Sequence, residues 1–436
     1  MTATTATPTW ASILSPTQLC SIVEAQSRIN LWTGAIRSGK TISSLLRWLL
    51  YVGQEAPQSG VLFMVGQTQQ TIERNLLAPL QDPQIFGELA HHVHHTPGAN
   101  TATILGRTVA LVGATDAKAF KRIRGATGAG AYVDEVSLLP AGFLTELLGR
   151  LSLPGAKLFG TTNPDGPAHW LKVEYIDQAA RLSMRHFTFT LDDNPSLDRD
   201  YVAAIKAEHQ GLWFRRLILG EWVAAEGTVY EAWNPDLHVV DTLPVIDRWI
   251  SLGVDYGTTN PLDATLLGRG READGKVRLY AAAEWRHDPK VAKVRLTDVQ
   301  HSANLREWLQ QLPREDGTAD AGVRPDFVCV DPSAASFLEQ LTHDRVHGVT
   351  TADNSVVDGI RTVSSLLATD RLRVHKSCRP LITEMASYSW DPKATEDGQD
   401  KPLKVADHAV DGLRYGIHTT EPLWRAHIGR DVANAA

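Results

Sequence analysis

One short loop sets the terms for the rest of the chain. Gly34-Ala35-Ile36-Arg37-Ser38-Gly39-Lys40-Thr41 fits G-x-x-x-x-G-K-[ST], and it lies where that pattern must lie to work, between an apolar run (29–33) and a helix-patterned stretch from Lys40 to about Tyr51. Glycines let backbone N–H groups close around phosphates, and the N-terminus of the following helix faces the anion. Lys40 then reaches the outer phosphates and the Thr41 hydroxyl ligates magnesium. Gly34, Arg37, Ser38, Gly39, Lys40 and Thr41 are the residues expected to bind a nucleotide, with ATP and Mg2+ as the ligands.

A strand, a tight turn and a helix in that order belong to an α/β layer, and the first half repeats the theme. Apolar runs at 29–33, 61–65, 108–112, 130–134 and 157–161 alternate with helical patterns, the signature of a doubly wound, largely parallel sheet. From about Gly220 to Asp247 the text loses its period and carries the breakers Gly227, Pro235 and Pro244. The second half opens on WISLGVDYG, followed by ATLLGRG and VRLYAAAEW joined through Asp274-Gly275, which points to an antiparallel meander. Helix-like text near 291–312 precedes FVCVD (327–331), and a last helix is expected from about Val405 to Ile417. Three meander strands followed by alternating helices and strands are the plan of an RNase H-like domain. The 436 residues therefore divide into a P-loop NTPase domain over 1–222, a linker over 223–247 and an RNase H-like mixed α/β domain over 248–436, within the two or three domains that roughly 150 residues per domain allows.

A P-loop needs an acidic partner on a neighbouring strand, and Ala131-Tyr132-Val133-Asp134-Glu135 supplies it. Asp134 is placed to hold magnesium through water and Glu135 to polarise the attacking water as general base, an arrangement for hydrolysis. The next strand ends in Gly160-Thr161-Thr162-Asn163-Pro164, where Asn163 can sense the γ-phosphate. Charge on the transition state calls for a cation. Arg37 inside the loop, or Lys121, Arg122 and Arg124 just before the acidic strand, could supply an arginine finger, in cis or into a neighbouring subunit. A solvated or DNA-facing basic cluster is the alternative for that group. The histidine run His91, His92, His94 and His95 lacks a spaced carboxylate and reads as a solvated loop rather than a metal site.

In the second half, Asp255 ends WISLGVD and Asp331 ends FVCVD, while Asp407 and Asp411 stand four apart and are expected on one helix face, flanked by His408. Acidic groups distant in sequence can meet at one sheet edge, where they are costly unless cations neutralise them. Two Mg2+ or Mn2+ ions held there would activate water and stabilise the leaving oxygen of a phosphodiester. Asp263 is a weaker neighbour, structural or supporting. Cys329, alternating with valines, reads as core.

Composition narrows the partners. The net charge is −7, so any grip on nucleic acid comes from a local basic patch rather than a global field. Three cysteines, Cys20, Cys329 and Cys378, form no CxxC pair, so neither a disulfide framework nor a thiolate zinc site is indicated and a reducing cytoplasm fits best. The N-terminal text lacks the order of a signal peptide, and no apolar run suggests a membrane.

Taken together and in order, INLWTGAIRSGKT, GAYVDEV, GTTNP, GEWV, GVDYG and DHAVDGLRY resemble the large terminase subunit of tailed bacteriophages from about Ile29 to about Ile417. The resemblance implies a motor that hydrolyses ATP, docks as a homo-oligomeric ring on the portal protein, works with a terminase small subunit, packages double-stranded viral DNA into the procapsid and cuts concatemers. It implies no membrane partner, and a place in the host cytoplasm, on the procapsid during packaging and absent from the mature virion. By position Lys40 and Thr41 match the family's ATP-binding pair, Asp134 its magnesium ligand, Glu135 its catalytic base, and Asp255 and Asp331 its first two nuclease metal ligands. For the third, Asp411 is favoured, with Asp407 close behind and His408 still open. The segment 15–26 takes the place of the family's adenine contact, through Gln18 or Gln26. Two other classes remain as alternatives: a helicase or repair-type ATPase fused to a nuclease, although fewer than two motor lobes fit before the linker, and a nucleotide-gated assembly protein whose C-terminal acids are structural.

Overall fold

The computed structural model describes residues 14–114, 119–312 and 322–428. These form two compact units, the first built mainly from residues up to Ala224 and the second mainly from Ala225 onward.

The first unit is organised by an eight-stranded sheet. Its strands are β1 (Ile29–Gly34), β2 (Val61–Gly66), β3 (Val93–His95), β4 (Thr101–Ile104), β5 (Arg107–Gly113), β6 (Gly128–Val133), β7 (Lys157–Thr162) and β8 (Met184–Phe189). They lie in the order β3-β4-β5-β2-β6-β7-β1-β8, with parallel pairing from β5 through β8 and an antiparallel edge at β3 and β4. The central strands are continuous apolar runs because both of their faces are covered. Trp32, Trp48, Tyr132 and Phe159 fill one side, and Phe63, Val133, Phe143 and Leu158 the other. Helix α1 (Pro16–Glu24) precedes the sheet, opened by a capping box between Ser15 and Gln18. Helix α2 (Lys40–Leu50) leaves the P-loop.

What positions the site is the neighbourhood β6-β7-β1. These strands are parallel and adjacent, so the P-loop after β1, Asp134 after β6 and Asn163 after β7 share one edge, the usual place for a ligand in an open α/β sheet.

The second unit has seven strands: β9 (Val239–Val240), β10 (Ile246–Asp255), β11 (Leu262–Arg271), β12 (Val277–His287), β13 (Phe327–Val330), β14 (Val349–Thr351) and β15 (Leu372–His375). The order is β14-β13-β10-β11-β12-β15-β9. The expected meander β10-β11-β12 is antiparallel, and β13 and β14 add in parallel beside β10, which is the RNase H-like arrangement. Within the 223–247 stretch, Asn234 caps a short helix, Pro235–His238, and β9 pairs in parallel with β15.

Helix α3 (His408–Thr419) lies against β10 at backbone distance: a Cβ at Gly253 would stand 2.0 Å from the Gly412 carbonyl oxygen. Ser251 Oγ adds a 3.0 Å hydrogen bond to the Gly416 carbonyl. The helix begins three residues later than the sequence suggested, because Ala406 adopts φ +50, where a right-handed helix cannot continue. Asp407, expected on the helical face shared with Asp411, is instead the residue just before the first turn.

Candidate functional site

The P-loop is held from three sides. Ala35 N–H donates to the Phe189 carbonyl at 2.8 Å and Ile36 N–H to the Leu217 carbonyl at 2.9 Å. Asn194 Nδ2 donates to the Arg37 carbonyl at 2.6 Å, and Gln18 Nε2 donates to the Ser38 carbonyl at 2.9 Å. Gly39, at φ +83, has the left-handed backbone that favours glycine, and a Cβ there would also push aside the Gln18 amide, 2.1 Å away, that bonds to Ser38. Arg37 is left-handed as well, at φ +54.

Lys40 Nζ donates to Asn163 Oδ1 at 2.7 Å and to the Ala35 carbonyl at 2.9 Å. Asp134 accepts from Thr161 Oγ1 at 2.9 Å on one oxygen and from Asn75 Nδ2 at 3.1 Å on the other, so two neighbours set its orientation. Burial lowers the pKa of the Lys40 ammonium, against the opposing pull of Glu135 and Asp134. Burial raises that of the Glu135 carboxyl, with Lys40 opposing and Asp134 adding. Interactions with a phosphate entering such a site are strong because little solvent screens them. Glu135 stands in the left-handed region at φ +48, a strain of about 1–3 kcal/mol of the kind that persists at functional sites.

In the second unit, Asp255 Oδ2 lies 2.8 Å from His408 Nδ1. Asp331 accepts from Ser333 N–H at 2.8 Å and from the Tyr415 hydroxyl at 3.2 Å. Asp411 Oδ1 accepts from Arg414 NH2 at 3.0 Å. Lys404 Nζ bridges Asp407 Oδ2 at 3.1 Å and Asp411 Oδ2 at 2.9 Å. The acids sense one another: burial raises the pKa of the Asp255 carboxyl, His408 opposes, and the charges of Asp411 and Asp331 add to the rise. The hydrogen bond to Asp255 raises that of His408. Desolvation disfavours the Lys404 ammonium, but Asp411 and Asp407 outweigh it and hold its pKa up.

Carboxylates with one imidazole are donors suited to Mg2+ or Mn2+, and the Lys404 ammonium between two of them marks where positive charge is wanted. Among the described residues no three His, Cys, Asp or Glu side chains stand together in a group that could hold a metal ion. The carboxylate oxygens instead meet cationic or ring groups of the chain itself: Lys404 on Asp407 and Asp411, Arg414 on the other oxygen of Asp411, and His408 on Asp255.

Other sequence candidates are placed differently. Arg124 is 63% exposed at its side chain, 3.9 Å from Glu146 and over the Phe120 ring. Arg122 donates to the Gly113 carbonyl. Gln26 accepts from Arg47 and Lys157, leaving Gln18 as the glutamine against the P-loop. His91 and His92 close a short turn, and His95, in β3, pairs with Glu73. Asp263 is fully buried, 3.2 Å from Arg286. Cys329 is core, its thiol pushed up to about 12 by burial. Asn75, Thr161 and Lys404 were not singled out from the sequence. Thr161 lies inside a motif that was, whereas Asn75 and Lys404 carry no local signal.

The chain is similar to known proteins over most of its length. Residues 31–233 match a family described as terminase large subunit, T4likevirus-type, N-terminal. The terminase large subunit of Escherichia phage T5 is 24% identical over 303 residues, 66% of this chain and 64% of that protein, so the match spans a little under two thirds of the curated relative. The solved large terminase of a thermophilic bacteriophage is 32% identical, with a TM-score of 0.82, over 93% of this chain and 98% of that one. An ADP complex of the same thermophilic phage's protein superposes with a TM-score of 0.80 at 32% identity, over 93% and 99% of the two chains.

Proposed function

The chain belongs to the phage large terminase family, and on that footing we propose that it is a DNA-packaging motor with its own endonuclease. Residues 1–222 form the ATPase and 248–436 the nuclease. ATP hydrolysis drives double-stranded DNA into the procapsid, and the second unit cuts concatemeric DNA. The partners are the portal protein, the terminase small subunit and further copies of the chain in a ring on the portal, in the host cytoplasm. No helix among the described residues is long and apolar enough to cross a membrane.

The observation that carries this reading is the shared edge of β6, β7 and β1, where Lys40, Asp134 and Asn163 meet. In the ATPase, backbone N–H groups of Gly34 to Thr41 bind the phosphates, and Lys40 turns from Asn163 and Ala35 to the outer ones. Asn163, released from Lys40, reports whether the γ-phosphate is present. Glu135, whose raised pKa makes it a stronger base, takes a proton from the attacking water. Thr41 and Asp134 would hold Mg2+. Arg37 or the exposed Arg124 supplies the cation for the transition state, in its own subunit or in a neighbour. In the nuclease, Asp255, Asp331 and Asp411, with Asp407 beside them, are the residues that would hold Mg2+ or Mn2+. When bound, these cations neutralise charge developing on phosphate oxygens and lower the pKa of water. His408 orients Asp255 through their 2.8 Å contact.

Supercoiled plasmid incubated with the full chain and Mn2+ or Mg2+ tests the nuclease half. Nicking and linearisation are expected, and both should disappear with Asp255→Ala and with Asp331→Ala. Cutting that survives both substitutions would remove the assigned site.

A further inference from the structure

Helix α3 carries groups that converge on the acidic site, His408 and Asp411 among them, yet its own N-terminus is not closed locally. Asp407, at its N-cap position, makes no side-chain capping bond, although the first N–H groups of any helix need an acceptor. Glu384, from the helix Arg379–Ser387, supplies it. Its Oε2 accepts from Ala409 N–H at 2.6 Å and from Val410 N–H at 3.3 Å. Glu384 is 4% exposed, and a carboxylate so buried would be costly unless its other oxygen were also paired. That oxygen, Oε1, accepts from Arg286 NH1 at 2.8 Å, and the same nitrogen reaches Asp263 Oδ2 at 3.2 Å. Asp263 in turn faces Asp255 across the β10-β11 pair.

The contacts close a ring. Asp255 meets Asp263 through strand register, Asp263 meets Glu384 through Arg286, Glu384 holds the start of α3, and His408 at that start returns to Asp255. The glycine contacts with β10 fix how closely α3 approaches the sheet. Ser251 on Gly416 and Tyr415 on Asp331 tie its later turns, and its first turn is gripped by the charge-assisted pair of bonds from Glu384. A shift there would displace His408 and Asp411 together relative to Asp255.

We infer that Glu384 is a positioning residue of the nuclease metal site, acting through the first turn of α3 and held in place by Arg286. The inference rests on the nuclease reading above. It concerns where Asp411 and His408 stand when a cation binds, so its direct consequence is metal affinity. Groups that support metal ligands from behind typically change affinity about 10–100-fold when removed.

The test is Mn2+ binding to the full-length protein without DNA, followed by calorimetry and by the loss of the free-ion electron paramagnetic resonance signal. Plasmid cutting across an Mn2+ series and ATP hydrolysis are measured in parallel. Glu384→Ala should weaken Mn2+ binding about tenfold or more, move the cutting midpoint to higher Mn2+ by a similar factor, and leave ATP hydrolysis unchanged. Glu384→Gln, which keeps an oxygen for one N–H but loses the charge and the pairing with Arg286, should shift both in the same direction by less. A merely structural role would lower the amplitude of binding and cutting without moving either midpoint. Unchanged midpoints in Glu384→Ala would overturn the inference, as would unchanged midpoints in the near-isosteric Glu384→Gln if the alanine variant did not fold. Failure of the wild-type chain to bind Mn2+ or cut would instead strike the nuclease reading itself.

Discussion

Lys404 holds two carboxylates, Asp407 and Asp411, at hydrogen-bond distance while its own side chain is 64% exposed. An ammonium in that position competes with any divalent cation for the same oxygens. Lys404→Ala should therefore tighten Mn2+ binding severalfold, read by calorimetry on the full chain. Weaker binding would mean that Lys404 helps to build the site rather than to fill it. In the ATPase, Glu135→Ala should lower the hydrolysis rate by about 10²–10⁴-fold, the usual contribution of a positioned base, while fluorescent ATP analogues still bind. A variant that hydrolysed at an unchanged rate would exclude Glu135 as the base. Acid sensitivity has a residue-level source too. His186 is half-buried beside the Thr33 hydroxyl, and desolvation, with Lys172 adding, lowers its pKa from 6.5 to about 4. Between those values the unfolded chain binds the proton and the folded one does not, so stability falls as pH drops from about 6.5 towards 4. His301 in the second unit follows the same sign. His186→Gln should shrink the loss in urea midpoint between about pH 7 and pH 5, and an unchanged loss would show that His186 titrates freely.

Among the elements, the strands buried on both faces were the legible ones. β1, β2, β6 and β7 fall within one or two residues of the apolar runs that announce them, since a strand covered on both sides has few polar positions to blur its outline, and the partly exposed β5 does the same through its buried Val109, Leu111 and Val112. β3 and β4 are three and four residues long, too short to show a period, and β8 at the sheet edge mixes Arg185 and His186 into its run. The start of α3 was hidden for a different reason, because the left-handed turn at Ala406 is not announced by a glycine. The same division runs through the sites. The P-loop and the Asp134-Glu135 pair are contiguous and could be read directly, whereas Asn75 meets Asp134 across 59 positions and Glu384 meets Ala409 across 25. Those contacts exist only once the sheets have formed. The packing of α3 on β10 gives a test at this scale. The Cβ of Gly253→Ala would meet a backbone oxygen at 2.0 Å with no flexible group able to yield, a cost of about 1–3 kcal/mol or more. Calorimetric melting should show the second unit destabilised and DNA cutting lost, with ATP hydrolysis kept. A second unit that melted like the wild type would show that α3 can stand off from the strand.

At the scale of the whole molecule, one chain of net charge −7 carries two sites that both act on phosphate by different means. On the proposed reading the first closes a backbone loop and a lysine around a nucleotide, and the second gathers carboxylates for cations that engage DNA. An acidic motor is consistent with translocation, because grip comes from local basic faces and each phosphate must also be released. Family membership sets aside the helicase and assembly-protein alternatives, and the account then stands on the independence of the two chemistries. The most direct measurement is a crossed comparison in the full-length chain, with ATP hydrolysis and metal-dependent plasmid cutting assayed in wild type, Glu135→Ala and Asp255→Ala. The account predicts that Glu135→Ala loses hydrolysis and keeps cutting, and that Asp255→Ala loses cutting and keeps hydrolysis. If both folded variants lost both activities, the assignment of two separate catalytic sites would be wrong.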